Sequence, residues 1–267
     1  MNKISSWKTV RYLACGLVIF AAPALAVDSA HGGEGQAIAL AGAPADAPLA
    51  ASGNWIDHFD TYVTGSQMHG QGGWKGWDNS SAAGALTSST QARSPLNSVD
   101  VLLATDLVQE YTLYTTGTWT YTAWQFIPTG ATGNSYFILL NTYVDGGPNN
   151  WSTQVCFNTT TNTVIDDPAN DCAAVSTVNI VYDQWVELRV VIDLDTNTQT
   201  FFYNGQQLYQ DSWTEHISGL GAVNIAAVDL FANSASSVFY DDISLSNLPY
   251  LDGFESGDTS AWHSTVP

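Results

Sequence analysis

Positive charge is scarce in this chain. Six of its 267 residues are Lys or Arg, against 25 Asp or Glu, and the formal net charge is −19. Three of the six, Lys3, Lys8 and Arg11, fall in the first 26 residues, so only Lys75, Arg93 and Arg189 serve the rest. Phosphate backbones and anionic lipids are held by clustered cations. Such a chain is badly suited to nucleic acid or to an anionic membrane surface. Beyond residue 26 no stretch approaches the ~20 apolar residues that span a bilayer, so no membrane span is expected. Amphipathic helical periodicity is absent too, which argues against a helical or parallel α/β fold. The shortage of charge is not disorder, because 45% of residues are hydrophobic and 12% charged, which suits a packed core.

What the first 26 residues do contain is ordered. Three cations precede the apolar run Tyr12 to Phe20, followed by Ala24-Leu25-Ala26. That is the layout of a secretory signal peptide, with cleavage expected after Ala26. Pro23 interrupts the run and weakens the competing reading of a membrane anchor. The mature chain is therefore expected to be secreted, extracellular or periplasmic. There Cys156 and Cys172 can oxidise to a disulfide around the Thr/Asn/Asp-rich excursion 157–171. Two free thiols on neighbouring strands are the alternative.

Residues 27–53 are rich in Ala, Gly and Pro without apolar periodicity and read as a flexible lead-in. From 54 to 247 the texture is that of strands. Val186, Leu188, Val190, Ile192 and Leu194 share one face, and Trp185, Glu187, Arg189, Val191 and Asp193 the other. Residues 118–126 alternate likewise. Period 2 over such lengths predicts half-buried strands. Asn204-Gly205 between two polar-apolar runs predicts a two-residue hairpin turn. Further strands are expected at 97–103, 135–143, 151–157, 223–232 and 236–246. Many short strands and Gly, Asn, Pro and Asp turns indicate one antiparallel β-sandwich, with 248–267 left as a C-terminal tail.

Three segments carry a resemblance. Phe59-Asp60-x-Tyr62 with Gln71-Gly72-Gly73-Trp74, then Gln184-Trp185-Val186-Glu187-Leu188-Arg189-Val190-Val191-Ile192-Asp193 running to Tyr203-Asn204-Gly205, then Val238-Phe239-Tyr240-Asp241-Asp242-Ile243-Ser244-Leu245 resemble bacterial secreted concanavalin A-like lectin/glucanase (LamG-like) domains. The resemblance implies an all-β antiparallel jelly roll whose face or rim handles glycans. It fixes no activity, because one sandwich hosts lectins, hydrolases, lyases and adhesion modules.

Enzymatic chemistry finds little footing. A retaining glycosidase needs two carboxyls about 5–5.5 Å apart. Glu110, Glu187 and Glu215 are the only glutamates in 54–247, and none has a second carboxylate at i+2 or i+4. Glu187 reads more simply as half of an ion pair with Arg189. Gln67-x-His69 and Glu187-Leu188-Arg189 resemble pieces of an alginate-lyase pattern in reversed order. No Gly-x-Ser-x-Gly elbow occurs, and His58, His69 and His216 lack metal-ligand spacing. A polysaccharide-acting hydrolase or lyase is thus the alternative to binding, with a non-catalytic adhesion or matrix role third.

Aromatic residues carry the remaining signal. Sugars present C–H faces that stack on rings and hydroxyls that need Asn, Asp and Gln partners. Trp74, Trp77 and Asp78 in one segment, and Tyr143, Asp145, Asn149, Asn150 and Trp151 in another, combine both. Core filling competes with binding for each tryptophan. The closing strand puts Asp241 on the parity of Phe239, Ile243 and Leu245, unless a bulge intervenes. A buried carboxylate needs a cation or hydrogen bonds. The resemblance implies a structural calcium between first and last strands, drawing on Asp57 or Asp60 with Asp241 or Asp242; turn and cap hydrogen bonds are the alternative. The expected partner is a neutral glycan.

Overall fold

Alternation in sequence becomes alternation in burial in two of the nine-residue strands, while the other three are buried on both faces. The computed structural model describes residues 53–173 and 176–247. The expected signal at 1–26, the lead-in up to residue 52 and the tail at 248–267 lie outside the described residues. The strands are β1 (Trp55–Asp57), β2 (Trp74–Gly76), β3 (Leu86–Ser88), β4 (Ser98–Val101), β5 (Asp106–Glu110), β6 (Thr118–Phe126), β7 (Asn134–Thr142), β8 (Asn150–Asn158), β9 (Thr163–Asp166), β10 (Ser176–Asn179), β11 (Trp185–Asp193), β12 (Thr198–Tyr203), β13 (Gln206–Ser212), β14 (Ala227–Phe231) and β15 (Val238–Ser246). In β11 every second residue from Val186 to Ile192 is buried. Thr118, Thr120 and Thr122 of β6 stay at the surface while Trp119, Tyr121 and Ala123 turn in.

All pairings between strands are antiparallel. One sheet runs β13-β12-β11-β6-β15-β4-β3, with β1 paired to β15; the other runs β10-β9-β8-β7-β14-β5-β2. Together they form an all-β antiparallel sandwich of two sheets. The β12–β13 turn is the expected one: Asn204 and Gly205 have φ of 50° and 74°, which Gly adopts without strain and Asn tolerates. Among the described residues no helix is long and apolar enough to cross a membrane.

Between the sheets lies one large apolar core. Phe137 meets Tyr121 at 5.7 Å and Phe201 at 6.0 Å, and Phe157 meets Tyr203 at 6.1 Å, each contact joining one sheet to the other. Leu188, at 0% exposure, belongs to it; cutting such a side chain to Ala costs about 2–5 kcal/mol. A second cluster forms on the far face of the β10–β2 sheet, from Trp77, Val108, Tyr136, Ile138, Leu140, Tyr143, Cys156, Ile165, Ala226 and Ala227. Period 2 explains both, since the same strands send alternate residues to opposite faces.

The expected strands at 97–103, 135–143, 151–157 and 236–246 are present with ends displaced by a few residues, while 223–232 narrows to Ala227–Phe231. β1, β2, β3, β9 and β10 have three or four residues each. Runs that short hold too few alternations to announce themselves.

Candidate functional site

The two aromatic segments, far apart in sequence, meet on the outer face of the β10–β2 sheet. β2 sends Trp74 inward, and the chain then turns through Trp77–Asn79, where Asp78 and Asn79 have φ of 54° and 56°. Gly76 makes this turn possible, because a Cβ there would collide with the Ser80 carbonyl folded back on it. Trp77 thereby lands on the outer face, with Tyr143 edge-on at 5.0 Å and Trp151 stacked at 6.1 Å and 19°.

Trp151 reaches that face through a bulge. Thr153, Val155 and Phe157 point between the sheets, and simple parity would send Trp151 with them. Instead Leu139 pairs with Thr153 and Leu140 with Trp151, leaving Ser152 as the extra residue. The insertion flips Trp151 to the side of Leu140. Ser152 is not left idle, since Asn141 Nδ2 donates to its hydroxyl at 2.8 Å.

Polar groups frame the rings. The Asp78 amide donates to the Tyr143 hydroxyl at 3.1 Å, which donates in turn to Asp145 Oδ1 at 3.0 Å; the Gly146 amide donates to Asp78 Oδ1 at 2.9 Å. Lys75 sits between Glu110 and Asp145 and 5.1 Å from the Tyr143 ring centroid. Burial, then the Asp145 carboxylate, push the Tyr143 phenol far above its ordinary value, so it stays protonated and able to donate. Asn149 Oδ1 accepts from the Val144 amide at 2.9 Å, and Asn150 donates to the Gly219 carbonyl at 2.8 Å. Both asparagines thus shape the loop.

Of the eight residues expected to line a glycan site, seven gather here and Trp74 does not. It is 1% exposed, packs on Phe59 at 5.6 Å and donates its indole N–H to Asp57 Oδ2 at 2.8 Å. Trp74 is a core residue, on the opposite face of the sheet from Trp77. The outer face also carries a pair that the sequence did not single out: Tyr136 and Phe231, opposite each other on β7 and β14, stack at 5.8 Å and 23°. Cys156 and Cys172 form the expected disulfide, Cα atoms 5.7 Å apart, which ties the 167–173 excursion to this face.

The four aspartates proposed for calcium do not form one group. Asp57 accepts from the Tyr62 hydroxyl, the Trp74 indole and the Phe59 amide, each at 2.8 Å. Asp60, Asp241 and Asp242 converge on Ser94 instead. Asp242 accepts from His58 Nδ1 at 2.6 Å and pairs with Arg93, whose guanidinium lies 3.8 Å over Trp124. Burial opposes the Asp242 charge, but His58 and Arg93 outweigh it and hold its carboxyl below the ordinary value. Burial and the Asp242 charge push Asp241 up to about 7. The bulge left open by parity is present, between Asp241 and Ser244, with Asp242 at φ 45°. Among the described residues no group of three or more His, Cys, Asp or Glu is arranged to hold a metal ion. With N–H and O–H donors on these oxygens, the cluster as arranged does not fit calcium.

Glu187 and Arg189 form the simple pair, 3.4 Å apart, with the guanidinium 4.2 Å over Phe202. Lys75, Arg93 and Arg189 therefore each stand beside a carboxylate and over a ring. A cleft of about 230 Å³ opens beside β1, lined by Trp55, Asp57, His58, Asp60, Tyr62 and Gly72 among others, apart from the aromatic face.

No family model matches the chain, and no curated protein matches it. Solved structures similar in fold include a cellulose-induced protein, at 17% identity over 73% of this chain and 92% of that one, TM-score 0.41. An endo-β-1,4-glucuronan lyase from Trichoderma reesei matches at 11% identity, covering 73% and 95%, TM-score 0.42. A Caenorhabditis elegans galectin matches at 9% identity, covering 52% and 89%, TM-score 0.35.

Proposed function

We propose that this is a secreted carbohydrate-binding protein that takes a neutral glycan on the aromatic outer face of the β10–β2 sheet. The convergence of Trp77, Tyr143 and Trp151 carries this reading. Rings supply stacking surface, while Asp78, Asp145 and Asn149 at the rim offer acceptors for sugar hydroxyls. Lys75, the cation at this face, is already held by Glu110 and Asp145. An anionic sugar would meet carboxylates without a free positive partner, which favours an uncharged one. The export layout of residues 1–26 supports a setting in which such glycans are met.

Binding without turnover is the form this site suits. Glu187 is paired with Arg189 on the other sheet, away from this face. A glycan array read together with product analysis tests the reading: retention of a neutral oligosaccharide with no new reducing or unsaturated ends is expected. Released products would make it an enzyme, and silence across neutral glycans would overturn the proposal.

A further inference from the structure

His216 occupies a position that the glycan site does not explain. It follows β13 on the turn 213–219 and lies between the sheets, its side chain 6% exposed. Nε2 meets Asp166 Oδ1 of β9 at 2.7 Å, and Nδ1 meets Asp211 Oδ2 of β13 at 3.1 Å. The ring stacks on Tyr209 of β13 at 4.5 Å and 27°. Tyr209 in turn donates to Gln199 Oε1 at 3.2 Å, which also accepts from Thr153 at 2.6 Å. One imidazole therefore joins an edge strand of the first sheet to β9 of the second.

We propose that His216 is a protonation-dependent clasp: as imidazolium it fastens the turn 213–219, and through it Trp151, to both sheets, and its deprotonation loosens that turn. Both carboxylates can be satisfied together only if both ring nitrogens carry hydrogen, which is the charged form. The titratable groups facing the ring are Asp166, Asp211 and Tyr209. Glu215, next in the chain, turns its carboxylate toward the Leu220 amide. Burial works against the charge, but the hydrogen bond and charge of Asp166 and the charge of Asp211 outweigh it and raise the His216 pKa above its ordinary value. The clasp is then fully present below about pH 6.5 and is lost as pH rises through the higher folded value.

The neutral ring has one N–H for two acceptors. Asp166, 4% exposed, has the stronger claim because water cannot replace the bond there, whereas Asp211, 52% exposed, can be hydrated. Deprotonation thus releases Asp211 first and frees the turn locally. Two residues on, Ser218 exchanges hydrogen bonds with the Trp151 backbone, its amide donating at 3.3 Å and its hydroxyl accepting at 3.1 Å, and Gly219 accepts from Asn150. Loosening the turn therefore reaches the stacked tryptophan. The clasp stands on its own geometry; only its effect on ligand rests on the glycan-binding reading.

Histidine-ring NMR and amide hydrogen exchange on the full chain, for wild type, His216→Gln and Asp211→Asn, test this. The His216 midpoint is expected above about 6.5. Exchange at Trp151, Ser218 and Gly219, corrected for intrinsic base catalysis, should speed several-fold between about pH 6 and about pH 9 in wild type. His216→Gln, which can donate to Asp166 without a charge, should lose that rise, and Asp211→Asn, altered at an exposed group, should lower the midpoint. A midpoint at or below the ordinary value, or an unchanged rise in His216→Gln, overturns the clasp. With a bound neutral oligosaccharide, affinity should weaken over the same window in wild type alone. Affinity that ignores pH while the ring titrates overturns the link to Trp151, and a protein that titrates as expected but binds no glycan defeats the functional reading only.

Discussion

Trp151 lies 6.1 Å from Trp77 with their ring planes inclined by 19°, and a bulge at Ser152 is what brings the two together. Trp151 is the less buried partner, so its removal should affect ligand more than fold. Trp151→Ala is expected to weaken binding of a neutral oligosaccharide about two- to tenfold, the equivalent of roughly 0.5–1.5 kcal/mol for one aromatic contact. Titration calorimetry on wild type and variant measures it. An unchanged affinity would remove Trp151 from the site.

The disulfide offers a test of how the excursion over this face is held. Cys156 and Cys172 are 16 residues apart in sequence, and closing a loop of that size in the unfolded chain is worth about 3 kcal/mol. For a domain of this length that corresponds to roughly 6–12 °C. Cys172→Ser with Cys156→Ser should lower the Tm by that amount, and thiol labelling of the unreduced wild type should find neither cysteine. A Tm within about 1 °C of wild type would show that the bond restrains nothing the fold does not already restrain.

The sandwich was most legible where a long strand buries one face only; β7, β8 and β15 are as long but buried on both faces. β6 and β11 show the alternation, because one buried face per strand leaves a period-2 trace. Asn204-Gly205 was legible because few dipeptides so readily take positive φ at both positions. The site was legible in its composition but not in its sidedness. Trp74 and Trp77 look alike in sequence, and only the turn at Gly76–Asn79 sends them to opposite faces. Trp151 has the parity of a core residue until Ser152 is inserted. The counter-charges of Asp242 were hidden for another reason: His58 and Arg93 reach it from loops far away in the chain, and no local pattern announces such a pairing.

Trp74 separates core from site. Its indole N–H donates to Asp57 at 2.8 Å within the apolar contact of Phe59 and Trp55. Trp74→Phe keeps most of the ring and loses a hydrogen bond to a charged acceptor, an expected cost of about 1.5–3 kcal/mol. Urea unfolding should register that loss, while oligosaccharide affinity stays at the wild-type value. A variant of normal stability and weakened binding would return Trp74 to the ligand face.

Calcium is best tested where the protein supplies its own cation. Arg93 pairs with Asp242 while its amide and that of Ser94 donate to Asp241 at 2.7 and 3.2 Å. The Ser94 hydroxyl lies within donating distance of both Asp60 and Asp242. In wild type the guanidinium and His58 pair with Asp242 and backbone amides hold Asp241, so added calcium or a chelator should leave the Tm unmoved. Arg93→Gln removes the fixed charge and the contact over Trp124, leaving partly buried carboxylates under-compensated, at a cost of about 1.5–3 kcal/mol for a hydrogen bond to a charged group. A hard divalent ion is then the natural replacement. The variant should melt lower than wild type by more than a few degrees and regain part of the difference in millimolar calcium but not in chelator. Wild type that itself melts lower in chelator would instead show that calcium already shares the cluster with Arg93.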